Sequence, residues 1–194
     1  MRVVDDFFMA FIEHFSPLTT VWREGLPPSL LRGAADQNGY VEWAMVRRRD
    51  AVDFSSIESI GLTLPSLFKS WLTAYEALED YDVGLLRLVH SPAGAPLARL
   101  QDLLAAESDV ADRGLIPIGY EATMDAGPVC IAPDGRIVLV DRSHEVEPPL
   151  FSSFEAMLAC LTVALRNPDG DADDFARLDP QMPAEAKRYW ARLL

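Results

Sequence analysis

Residues 124–145 read MDAGPVCIAPDGRIVLVDRSHE. The stretch holds Cys130, His144, Asp125, Asp134, Asp141 and Glu145 around a glycine turn, which is the inventory of a catalytic or metal site. It also has the pattern of a β-hairpin. PVCIA (128–132) and RIVLVD (136–141) flank Pro133-Asp134-Gly135-Arg136, and Asp-Gly between two β-branched runs is a strong signal for a two-residue hairpin turn. Cys130 stands between Val129 and Ile131 with no neighbouring cation or helix start to lower its pKa, so it reads as a core thiol. Asp141, His144 and Glu145 lack the tight spacing of His-Glu-x-x-His or paired Cys-x-x-Cys sites. They read as solvated residues after a strand end, and the hairpin reading wins.

Working outward, GLIPIGYE (114–121) is expected to be a third strand, at or near an edge because Pro117 has no N–H for a ladder. VGLLRLVH (83–90) and YVEWAMV (40–46) read as further strands. Helices are expected over 3–15, 65–79, 97–108, 152–166 and 184–194. In the first, Val4, Phe7, Phe8, Phe11, Ile12 and Phe15 recur at helical spacing. In the second, Thr63 is a candidate cap, Pro65 stands near the first position, and Leu67, Phe68, Trp71, Leu72, Tyr75 and Leu78 form the inward face. Ser152 and Glu155 suggest a capping box for the fourth. The last either covers the sheet or supports a homodimer. The order predicts an α+β fold, a mainly antiparallel mixed sheet with helices packed on it. It reads as one domain, 1–194, with an N-terminal helix and strand extension (1–50), a core (57–166), and an acidic loop with a C-terminal helix (167–194).

The 194 residues are enough to bury a core without staples. A net charge of −13 repels nucleic-acid backbones and anionic lipid, and attracts a basic protein. No direct nucleic-acid partner and no membrane insertion are therefore expected. Cys130 and Cys160 both lie in apolar runs, which fits free thiols in a reducing compartment. The N-terminus lacks a basic leader and a cleavage site, and no run approaches eighteen apolar residues. A cytoplasmic location is the expectation.

Other candidate chemistry fails on spacing. DGDADD (169–174) begins like a calcium loop, but the sixth position is Asp174 and the twelfth Pro180. The histidines His14, His90 and His144 lie on separate segments. Phosphate-cradling and nucleophile-elbow motifs are missing from the sequence. Arg47, Arg48 and Arg49 read as solvated at a strand end. No catalytic residue, metal ligand or cofactor is assigned.

Two blocks together carry a family resemblance. The first is IESIGLTLPSLFKSWLTAYEAL (57–78), a Gly-x-x-Leu-Pro lead into an aromatic helix. The second is GLIPIGYEATMDAGPVCIAPDGRIVLVDRSHE (114–145), followed by SFEAMLACL (153–161). In this order they resemble the SUKH superfamily, the Smi/Knr-like proteins, over residues 57–166. The N-terminal part with Trp22 and Trp43 is similar to the Syd branch. Where the family has Asn-Gly after its first helix, this chain has Glu79-Asp80-Tyr81-Asp82. The resemblance implies a binding protein rather than an enzyme. Bacterial members look like immunity proteins that neutralise a cognate toxin, often a nuclease, by stoichiometric binding. A basic toxin domain would complement −13. The alternatives are a housekeeping module such as a Syd-like translocase-binding protein, and a small hydrolase, which a cleft gathering carboxylates with a histidine would favour. Acids at strand ends and adjoining loops are the candidate partner-binding residues: Asp80, Asp82, Glu121, Asp125, Asp141 and Glu145.

Overall fold

The computed structural model describes residues 2–121, 127–141, 143, 145–168 and 172–190. In chain order the elements are α1 (Arg2–Phe15), β1 (Leu18–Val21), β2 (Tyr40–Trp43), β3 (Val46–Arg47), α2 (Ser55–Glu58), α3 (Ser66–Ala74), β4 (Tyr75–Glu76), β5 (Tyr81–Val83) and β6 (Leu86–Leu88). There follow α4 (Ala98–Ala106), α5 (Ser108–Ala111), β7 (Ile116–Glu121), β8 (Gly127–Ile131), β9 (Ile137–Leu139), α6 (Phe154–Arg166), α7 (Ala172–Leu178) and α8 (Ala184–Trp190). This is an α+β fold. A five-stranded antiparallel sheet runs in the order β5-β6-β7-β8-β9, and β1-β2 and β3-β4 form separate two-stranded ribbons. Among the described residues no helix is long and apolar enough to cross a membrane.

The expected hairpin is present. Val129 faces Leu139, Cys130 faces Val138 and Ile131 faces Ile137. The pleat sends successive side chains to opposite faces. Val129, Ile131, Ile137 and Leu139 join the main core, while Cys130 joins Val110, Leu115, Val138 and Val140 in a smaller cluster. The thiol therefore has an apolar environment on its own side of the sheet.

Pro117 is not at an edge. β7 is the central strand, and the register shifts between Pro117 and Gly119. The bulge accommodates the missing donor inside the sheet. Gly119 follows from the same crowding, because a Cβ there would lie 2.1 Å from the Arg87 carbonyl oxygen. The segment 83–90 is not one strand either. Gly84, at φ +57°, turns the chain between Val83 and Leu86 and makes a two-residue hairpin of β5 and β6. The helix expected to reach residue 79 stops at Ala74, where Tyr75 turns extended and pairs with Arg47. Its N-cap is Pro65, not Thr63. The strand expected over 40–46 ends at Trp43, and Val46 pairs with Glu76 in the second ribbon. The helix expected at 97–108 is α4, and the short α5 follows it.

The core is organised by rings. Phe7, Phe8 and Phe11 of α1 meet Trp71 of α3 and Tyr81 of β5, with centroid separations such as 4.7 Å for Phe8–Trp71 and 5.3 Å for Phe11–Tyr81. Phe154 of α6 closes the group, 5.9 Å from Trp71. α1 packs along α6, and His14 Nδ1 donates to the Leu165 carbonyl oxygen at 2.8 Å. Phe175, Met182 and Ala186 add α7, its following turn and α8 to the same cluster. The acidic 169–174 segment is thus not wholly a loop. Asp173 and Asp174 sit in the first turn of α7, where carboxylates favour a helix start. The calcium-like residues 169–171 lie outside the described residues.

Helix α6 is capped by Ser153, one residue beyond the expected Ser152. Its hydroxyl accepts from the Ala156 amide at 3.1 Å. Ser153→Ala should cost about 1 kcal/mol, whereas Ser152→Ala should leave urea-unfolding stability nearly unchanged. Equal effects would contradict this assignment. The three arginines also separate. Arg47 and Arg49 are exposed, but the Arg48 side chain is only 4% exposed. It donates to Glu76 Oε1 at 3.0 Å, Ser91 Oγ at 3.0 Å and the Pro92 carbonyl at 2.8 Å. A buried guanidinium needs such partners, and Arg48 is a structural clasp rather than a solvated charge.

Candidate functional site

The link between β4 and β5 carries Glu79 and Asp80, and β5 carries Asp82. Alternation along Tyr81–Val83 buries Tyr81 and Val83 and turns Asp82 outward. Opposite this edge lies the β1–β2 ribbon, reached from α1 through Phe15 and Pro17. Between them is an open groove of about 240 Å³. Phe11, Phe15, Leu18 and Trp43 supply its apolar lining, and its titratable lining groups are Glu79, Asp80 and Asp82. Thr20 of β1 donates its hydroxyl to Glu79, tying ribbon to sheet edge. The same three acids also line an adjoining cleft of about 380 Å³, together with Arg23, Arg87, His90 and Arg99.

Asp80 is the most constrained of the three, with a side chain only 14% exposed. It accepts from His90 Nδ1 at 2.7 Å, the His90 amide at 3.2 Å and Arg99 Nη2 at 2.6 Å. Burial alone raises its pKa. The hydrogen bonds from His90 and Arg99 and the Arg99 charge outweigh that, holding the carboxyl well below the usual carboxylate range. Asp80 therefore joins the β4–β5 link, the segment after β6 and the start of α4. Asp82 is exposed and takes a two-point contact from Arg87, at 2.7 and 3.1 Å. Such an exposed pair is worth under about 1 kcal/mol, so a partner's cation can replace Arg87.

The remaining candidates do not join this group. Glu121 is opposite Leu86 and Asp82 is opposite Arg87, which places them on opposite faces of the sheet. Glu121 is only 5% exposed. Asp141 lies beyond β9, at the other edge of the sheet. With strands about 4.8 Å apart, the two edges are about 19 Å apart. Asp141 accepts from Ser143 Oγ at 2.7 Å and from the Glu145 amide at 2.8 Å, and so shapes its own loop. The Glu145 side chain is exposed there. Asp125 and His144 lie outside the described residues.

Both thiols are buried, and burial pushes Cys130 and Cys160 up to about 12. They remain protonated at neutral pH and are not nucleophiles. Among the described residues no group of three or more His, Cys, Asp or Glu is arranged to hold a metal ion. Sequence reasoning missed Glu79, His90, Arg99 and the strand at 18–21. The signal for the first was the alternation Asp80-Tyr81-Asp82-Val83 before Gly84, which marks a strand where the expected one began only at Val83. No protein-family model matches the chain, and no curated protein gives a significant match.

Proposed function

We propose that this chain is a non-enzymatic protein-binding module that docks a basic partner, in the manner of an immunity protein neutralising a toxin domain by stoichiometric binding. The observation that carries the reading is the groove in which Glu79, Asp80 and Asp82 stand beside Phe11, Phe15 and Trp43. Carboxylates over aromatic rings suit a lysine or arginine side chain, which gains charge pairing from one and stacking from the other. Val21, Trp22 and Tyr40 are also exposed on the ribbon, Val21 and Tyr40 on the face opposite Leu18 and Trp43. Trp and Tyr are the residues that anchor protein interfaces. The net charge of −13 would speed encounter with such a partner.

The test is capture of partners from the native host, followed by titration of the purified pair. One basic protein binding at equimolar ratio, more weakly as salt rises, supports the reading. Glu79→Ser with Asp82→Ser should then weaken binding about tenfold and flatten its salt dependence. Unchanged affinity in that double variant would remove the groove as the docking site. Recovery of translocase components would favour a Syd-like role.

A second reading, a small hydrolase, draws on His90 beside Asp80 with Glu79 and Asp82 in one cleft. Two features weigh against it. Arg99 occupies the oxygen of Asp80 that His90 does not, and His90 is only 6% exposed. Turnover of generic ester or phosphoester substrates that disappears in His90→Gln would support it.

A further inference from the structure

We propose that the groove receives an extended basic segment of the partner as an added β-strand along the open edge of β5. This rests on the docking reading above and specifies how the partner is held. Val89 donates its amide to the Ile118 carbonyl at 2.9 Å, so the Val89 N–H points toward β7. Backbone direction alternates along an antiparallel strand. Arg87 therefore also points toward β7, and Leu86 and Leu88 point toward β5. Their partners Val83 and Tyr81 are then the hydrogen-bonded residues of the hairpin. The N–H and C=O of Asp82 point away from it, along an edge with no neighbouring strand in the sheet.

The same argument applies across the groove. Trp22 donates to the Gly39 carbonyl at 2.8 Å, so Leu18 and Thr20 face β2, while Thr19 and Val21 turn their backbone groups outward. Thr19 and Asp82 line the same groove. Residues of two strand edges outside any ladder thus line one groove. An added strand places alternate side chains on opposite sides. One set would meet Glu79 and Asp82, and the other Phe15 and Leu18. The occupant is a short run in which lysine or arginine alternates with apolar residues.

The test uses the intact protein and an acetylated, amidated peptide of alternating valine and lysine. A second peptide is identical but N-methylated at alternate backbone amides, which keeps its charge and side chains. A third replaces lysine with glutamate. The first should bind, and hydrogen exchange should slow at the Asp82 amide. The N-methylated peptide should bind about tenfold more weakly, and the glutamate peptide not at all. Asp82→Pro, which removes an outward N–H from an edge strand, should weaken binding more than Asp82→Asn. Equal affinity of the methylated peptide, or an unprotected Asp82 amide, would overturn strand addition while leaving acidic docking intact. Failure of the first peptide to bind would overturn it as well. The docking reading itself fails only if no basic protein shows salt-sensitive binding.

Discussion

Trp71→Ala is expected to remove about 3–5 kcal/mol of stability, a large share of what a domain of this size holds. Trp71 is 2% exposed. Its ring stacks against Phe8 at 4.7 Å, meets Phe7 at 4.8 Å and Tyr81 at 5.1 Å, and stands edge-on to Phe154 at 5.9 Å. Its indole N–H donates to the Val89 carbonyl at 3.2 Å. Truncation opens a cavity where α1, α3, β5 and α6 converge, and it strands a buried acceptor. Trp71→Phe keeps most of the apolar volume and loses the donor, so it should cost markedly less. Urea unfolding of the two variants separates cavity from hydrogen bond. A loss below about 1 kcal/mol in Trp71→Ala would mean that the ring cluster does not organise the core.

Asp80→Asn should cost about 3 kcal/mol at neutral pH, because it leaves Arg99 and the buried side of His90 without their carboxylate. The pH dependence has a definite sign. The folded-state pKa of Asp80 is depressed, so its stabilisation is fully present above the unfolded carboxylate pKa of about 3.9. It is lost as the pH falls from there through the lower folded value. The gap between wild type and Asp80→Asn should therefore shrink as the pH falls below about 4. A gap that stays the same at pH 3 would show that Asp80 stabilises by shape rather than charge. Because Asp80 braces three segments, its replacement confounds binding with folding. Asp82 is exposed and pairs only with Arg87 of the adjoining strand, so it is the acid on which docking is best tested, while Glu79 also holds the ribbon through Thr20.

The hairpin at 128–141 and helices 2–15 and 154–166 were legible because each follows a local period. Their apolar residues recur at two or at three and four, and the Asp134-Gly135 turn needs only its own backbone. Errors fall where a local rule met a non-local neighbour. Pro117 denies a ladder a donor and so argued for an edge, but a bulge absorbed the loss in the central strand. Leu78 kept helical spacing with Trp71, yet the chain left the helix at Ala74 because Tyr75 and Glu76 found extended partners in Arg47 and Val46. Arg48 stands between two exposed arginines. Only the folded chain brings Glu76, Ser91 and Pro92 around it.

From the sequence alone came the α+β class, the hairpin, the apolar faces of the long helices, the burial of both thiols and the acidic balance. All are properties of neighbours within a few residues or of the chain as a whole. Tertiary structure alone decided which acids stand together. Asp80 and Asp82 share a groove with Glu79, Phe15 and Leu18, while Glu121 faces the other side of the sheet and Asp141 lies at its far edge. The reason is physical: side-chain direction alternates residue by residue, but strand order is set by long-range pairing. Residues far apart in the chain, such as Thr20 and Glu79, become partners only when the fold brings the ribbon against the β4–β5 link.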